Sequence, residues 1–132
     1  MVVLMMPRLL GYALVFGTAL MSGAWEPAQG PSSTQTVDIA AERFSFTPSE
    51  IKTTLGTTLK IRLTSDDTSH GFRIVGADVD VQIPKRGRGT TTVTFTPEKA
   101  GRYTFECSQL CGAGHSFMRG TLIVTAPAPG RQ

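Results

Sequence analysis

Two cysteines are all that 132 residues contain. That number is too small for a disulfide-dense scaffold, a four-cysteine zinc site or a cysteine-ligated iron–sulfur cluster. Charge is also sparse: 17% of residues are charged and the formal net charge is +3. A highly charged disordered chain is therefore excluded, and nothing suggests the concentrated basic face of a nucleic-acid binder. Long apolar runs are missing beyond the first two dozen residues, which rules out a multi-span membrane protein. The chain has no phosphate-binding glycine-rich loop, no Ser/His/Asp arrangement and no carboxylate pair spaced as acid and base. By itself it is not expected to be a catalyst. Internal repeats and low-complexity tracts are absent as well. The length suits one domain.

What is present divides the chain. After Arg8, residues 9–21 are uncharged and mostly apolar, and small residues follow at Ser22, Gly23 and Ala24. A positive charge, an apolar stretch and a small-x-small end describe an export signal, with Ser22 and Ala24 at the two small positions. The rival is a retained anchor, although residues 9–24 are short against the roughly 20 apolar residues of a membrane span. On either reading residues 1–24 place the rest outside the cytoplasm, in the periplasm or on the outer face of the cytoplasmic membrane. Thiols persist there when bonded to each other or to a metal. Residues 25–35, rich in Pro, Gly, Ser and polar side chains, read as a linker, and 126–132 as a flexible tail.

Between them, residues 36–125 alternate apolar and polar side chains. Leu59, Ile61 and Leu63 face one way; Lys60 and Arg62 face the other. Val79, Val81 and Ile83, then Val93 and Phe95, then Tyr103 and Phe105, then Leu122 and Val124 repeat the pattern. Shorter candidates are 36–39, 43–46 and 71–75. Such a period of two marks half-buried strands, and turn residues separate the runs. Seven or eight short strands predict an all-β, antiparallel sandwich.

Metal-ligand side chains gather in two places. His70 opens the run Gly71-Phe72-Arg73-Ile74-Val75. Cys107, Cys111, His115 and Met118 follow the run 102–106, spaced Cys-x3-Cys-x3-His-x2-Met. If the two runs are antiparallel strands, both places lie at one end of the sandwich. Thiolates and a thioether are soft ligands and imidazole is borderline, a set that favours copper over hard cations. A mononuclear blue-copper site needs two His, one Cys and a weak Met, so one Cys is surplus. Two thiolates can instead bridge two coppers, with one His on each. A disulfide between Cys107 and Cys111, or tetrahedral zinc on two Cys and two His, are the alternatives, and zinc leaves Met118 without a role. Asp66 or Asp67 stands where it can hold the far nitrogen of His70.

The segment Cys107-Ser-Gln-Leu-Cys111-Gly-Ala-Gly-His115-Ser-Phe-Met118 resembles the binuclear copper (CuA) loop of cytochrome c oxidase subunit II, and the similar loop of nitrous oxide reductase. Asp67-Thr-Ser-His70-Gly-Phe72, Phe44-Ser-Phe46-Thr-Pro48 and Met118-Arg-Gly120-Thr-Leu-Ile-Val124 extend the resemblance over about residues 36–125. It implies a cupredoxin-like Greek-key sandwich. It also implies bridging thiolates from Cys107 and Cys111, imidazoles from His70 and His115, a weak thioether from Met118 and the backbone carbonyl of Gln109. The function it implies is one-electron transfer through copper, two ions per chain, from a donor such as cytochrome c toward a haem-copper oxidase core. Many members have Glu where Gln109 stands, which removes a carboxylate that holds a further metal in some of them. A copper-delivery protein and a mononuclear cupredoxin remain as alternatives.

One basic cluster, Lys85-Arg86-Gly87-Arg88, reads as a solvated turn that also discourages edge-to-edge strand pairing. Facing a partner, it would suit an acidic one.

Overall fold

A computed structural model describes residues 33–130. The expected signal or anchor, 1–24, lies outside the described residues, as does most of the linker. Within them the chain forms nine strands and one short 3-10 turn. The strands are β1 (Thr34–Glu42), β2 (Ser45–Thr47), β3 (Glu50–Thr54), β4 (Thr58–Ser65), β5 (His70–Ile74), β6 (Asp80–Ile83), β7 (Thr91–Phe95), β8 (Gly101–Glu106) and β9 (Arg119–Thr125). They build a four-stranded sheet in the order β2-β1-β4-β7 and a five-stranded sheet in the order β3-β9-β8-β5-β6. The chain crosses between sheets at both pairs of edges, from β2 to β3 and from β6 to β7, and this closes the all-β, cupredoxin-like Greek-key sandwich.

Alternation decides which side chains meet between the sheets. In β4 the residues Leu59, Ile61, Leu63 and Ser65 are buried while Lys60, Arg62 and Thr64 are exposed. Between the sheets Phe46 of the four-stranded sheet and Phe72 and Phe105 of the five-stranded sheet form a triangle with ring centroids 5.4–5.8 Å apart. All three are at most 2% exposed, and each contributes roughly 1.5–3 kcal/mol by leaving water. Two of the expected ligands, His70 and Met118, are likewise fully buried.

Two details depart from the expected antiparallel sandwich. β1 pairs β4 in parallel, Thr34 opposite Thr58 through Ala41 opposite Ser65, and β3 pairs β9 in parallel. Side-chain alternation is identical in parallel and antiparallel strands, so the pattern carries no direction. The extra strand β3 contains only one large buried side chain, Ile51, which made it invisible to periodicity.

Candidate metal centre

β5 and β8 run antiparallel, with Arg73 opposite Glu106 and Ile74 opposite Phe105. This register brings the start of β5 beside the end of β8. His70 therefore lies against the loop that leaves β8 at Cys107 and returns at Met118. The loop is closed at its base by the Cys107 amide, which donates to the Met118 carbonyl at 3.1 Å. A 3-10 turn over His115–Phe117 carries the second imidazole.

All six predicted site residues fall in this region. The sulfurs of Cys107 and Cys111 are 3.7 Å apart, well beyond the roughly 2.05 Å of a disulfide, and both thiols are free and buried. Cys107 Sγ lies 3.1 Å from the Gln109 carbonyl oxygen. Cys111 Sγ lies 3.8 Å from His115 Nδ1 and 3.9 Å from Met118 Sδ. One ligand atom from each of His70, Cys107 and Cys111 falls within 4.8 Å of the others. Gln109 itself is exposed, so only its backbone reaches the cluster.

His70 is fully buried, and its two nitrogens have different surroundings. Nε2 lies 2.7 Å from Asp67 Oδ1. Nδ1 is buried without a hydrogen-bond partner. A buried polar atom left unpaired costs about 1–3 kcal/mol, a cost that a bound metal ion would relieve. The orphaned nitrogen, two free thiols, a thioether and a carbonyl form a soft set, and they fit copper.

The electrostatics suit an oriented imidazole. Burial raises the Asp67 carboxyl, but hydrogen bonds from His70 and from the Arg43 and Thr68 backbone outweigh it and hold the group below its ordinary value. A carboxylate on the far nitrogen sets the tautomer and strengthens the imidazole as a ligand. Of the two acidic residues considered from the sequence, Asp67 makes this contact. Burial pushes the Cys111 thiol up to about 11, with the hydrogen bond and charge of Cys107 adding to the effect. A metal binding there must displace that proton.

Sequence reasoning missed several residues that shape the centre. Gly71 donates its amide to Cys107 Sγ at 3.4 Å. A side chain on Gly71 would come within 2.6 Å of the Gln109 amide nitrogen. A glycine inside a strand is the available signal for such a close backbone approach. Phe44 fills the space beneath Gly112 and Gly114, where a Cβ would lie 2.8 and 2.2 Å from its ring. Ser108 donates to Asp80 Oδ1. Arg43 reaches the Cys111 carbonyl from the other sheet, and no local sequence feature announces it.

Comparison with known proteins agrees with this fold and site. The model of the cupredoxin-like domain matches residues 12–124. Cytochrome c oxidase subunit 2 of Thermus thermophilus is 34% identical over 113 residues, 81% of this chain and 82% of that protein. A chain of a haem-copper terminal oxidase dimer is 30% identical, with a TM-score of 0.57, over 68% of this chain and 64% of that chain. The periplasmic domain of subunit II of a Bradyrhizobium japonicum cytochrome oxidase, 19% identical, shares the fold with a TM-score of 0.64 over 73% of this chain and 87% of that domain. The chain therefore belongs to the cupredoxin-like family and, within it, to the cytochrome c oxidase subunit II family. With its buried His and Cys cluster, it is a copper-binding electron-transfer protein of the subunit II type.

Proposed function

We propose that the centre is binuclear and that the chain relays one electron toward a haem-copper oxidase core. The observation that carries this is the pair of free, buried thiols 3.7 Å apart, with a His70 nitrogen within 4.8 Å of both and His115 Nδ1 3.8 Å from Cys111 Sγ. One thiol and two imidazoles satisfy a single blue copper; the second thiol is accounted for by a second ion. Cys107 and Cys111 would bridge, His70 and His115 would each hold one metal, Met118 would be a weak ligand and Gln109 would lend its carbonyl. When bound, a binuclear copper centre supplies a one-electron couple shared between two metals.

The chain's own residues supply the conditions for that chemistry. Asp67 orients His70, and the Gly71 amide donates toward Cys107 Sγ. His70, Cys107, Cys111 and Met118 are themselves buried, which keeps bulk water from these donors. On the outer side His115 is half-buried, while Leu110 and Phe117 on the same loop are 86% and 81% exposed. Apolar side chains presented beside a redox centre suit brief contact with a protein partner. A donor such as cytochrome c is the partner we assign to this face. The oxidase core is the acceptor suggested by the related oxidase chains.

Export follows the same reading. The related Bradyrhizobium domain is periplasmic, and residues 1–24 have the composition of a signal or anchor. Among the described residues no helix is long and apolar enough to cross a membrane.

The test is metal stoichiometry with electron paramagnetic resonance on the purified, copper-loaded chain. Two coppers per chain sharing one unpaired electron are expected. A single localised copper would refute the binuclear reading and favour a mononuclear cupredoxin. Cys107→Ser is expected to abolish the shared-electron spectrum; a parental spectrum would remove Cys107 from the ligand set. Rapid release of Cu(I) to an apo-acceptor with sluggish redox cycling would favour copper delivery instead.

A further inference from the structure

We infer that Arg43, in the turn between β1 and β2, is a positioning residue that couples the metal loop to the loop carrying the first histidine. The inference rests on the copper reading for its significance, but its geometry stands without metal. Two bonds leave this one residue in two directions. Its side-chain Nε donates to the Cys111 carbonyl at 2.9 Å. Its backbone amide donates to Asp67 Oδ2 at 3.0 Å, and the other oxygen of that carboxylate lies 2.7 Å from His70 Nε2. Arg43 thus connects Cys111 and His70, which are brought by different strands.

The chemistry of arginine suits the task. The Cys111 carbonyl lies just before Gly112, whose φ is 145°. A carbonyl there has no strand neighbour to bond. The guanidinium is planar, so each of its N–H groups has a fixed direction within the fork. Charged donors make hydrogen bonds about twice as strong as neutral ones. Holding the carbonyl fixes the peptide that follows Cys111 and limits the directions open to its Sγ. Phe44, the next residue, packs directly under Gly112 and Gly114. Together the two residues form a shelf on which the loop rests. Arg43 is itself exposed, so its charge is screened and direction of bonding is its main contribution.

Three variants test this, and the backbone bond to Asp67 remains in each. Arg43→Ala removes the donor. Arg43→Lys keeps the charge but not the planar fork. Arg62→Ala removes another exposed arginine, one that pairs with Asp38 on the four-stranded sheet. Amide exchange is read in copper-free protein at His115, Phe117 and Met118, whose amides bond within the loop. Copper-loaded protein is read for loss of copper to bicinchoninate and for the copper hyperfine pattern. Arg43→Ala is expected to speed loop exchange and copper loss by about tenfold, the lower end for losing a group that supports a ligand, and to alter the hyperfine pattern. Arg43→Lys is expected to leave exchange raised, while Arg62→Ala matches the parent. Parental exchange and copper loss in Arg43→Ala would overturn the inference. Full rescue by lysine would overturn it too, since charge alone would then suffice, as would equal changes in Arg62→Ala. If the parent binds no copper, the functional reading fails, while the exchange data still decide the role of Arg43.

Discussion

Adding one methyl group at Gly71 tests whether the two halves of the centre are in register by close contact. An ideal Cβ there would lie 2.2 Å from Ser108 Oγ, 2.6 Å from the Gln109 amide nitrogen and 2.8 Å from the Ser108 amide nitrogen. The serine hydroxyl can swing away, but two backbone atoms cannot. Comfortable non-bonded contact is about 3.5 Å, so roughly 0.7–0.9 Å must be found. β5 has little room to retreat, because His70 and Phe72 on either side are fully buried and β6 pairs along it. The metal loop must move instead. Overpacking of this kind costs about 1–3 kcal/mol, and 2 kcal/mol shifts the folding equilibrium roughly thirtyfold. The displacement also exceeds the roughly 0.5 Å tolerance of a built site. Gly71→Ala should therefore lower the urea midpoint of metal-free protein without changing the slope, and broaden or split the copper spectrum. Parental stability and a parental spectrum together would refute the claim that this contact sets the spacing of His70 and Cys107.

Three further predictions concern charge. Asp67 is held below its ordinary carboxylate value by bonds made only in the folded state. Its contribution to stability is complete above the unfolded value of about 3.9 and is lost as pH falls through the lower folded value. Urea titrations at pH 6 and pH 3 should show this loss in the parent and a smaller one in Asp67→Asn; equal losses would assign acid sensitivity elsewhere. Asp67→Asn should also weaken copper binding about 10–100-fold, read by chelator competition. Because the Cys111 thiol is raised to about 11, it keeps its proton throughout the neutral range. Binding Cu(I) displaces it, so affinity should rise at least about tenfold per pH unit between pH 6 and pH 8. A pH-independent affinity would mean that Cys111 is not bound as thiolate.

Much of the site is legible in one dimension because most of its donors are local. Cys107, Cys111, His115 and Met118 lie within twelve consecutive residues, and their softness names the metal class before any folding is considered. His70 is legible by a different route. It opens one alternating run while Cys107 closes another, and an antiparallel pairing brings such ends together, as β5 and β8 do. Asp67 was narrowed to two neighbours but not chosen. Only the turn of Asp66-Asp67-Thr68-Ser69 decides which carboxylate meets the ring, and Ser65 helps set it by bonding both the Asp67 amide and the Thr68 carbonyl. The basic turn is similar. Its charge is plain in the sequence, but its tie to the first-histidine loop, Arg86 amide to Asp67 carbonyl at 3.1 Å, is not.

Strand faces and the soft character of the candidate donors were legible along the chain. These depend on alternation and on side-chain chemistry, both readable from neighbours along the chain. Tertiary structure decided that β1 and β3 enter the sheets in parallel, that the orphaned nitrogen of His70 is Nδ1, and that Arg43 and Gly71 bond to Cys111 and Cys107. The strand pairings and the contacts of Arg43 and Gly71 join residues two dozen or more positions apart, and the choice of Nδ1 follows from the local fold of the turn that brings Asp67 to Nε2. Periodicity describes which face a residue is on, and says nothing about which distant residue it faces.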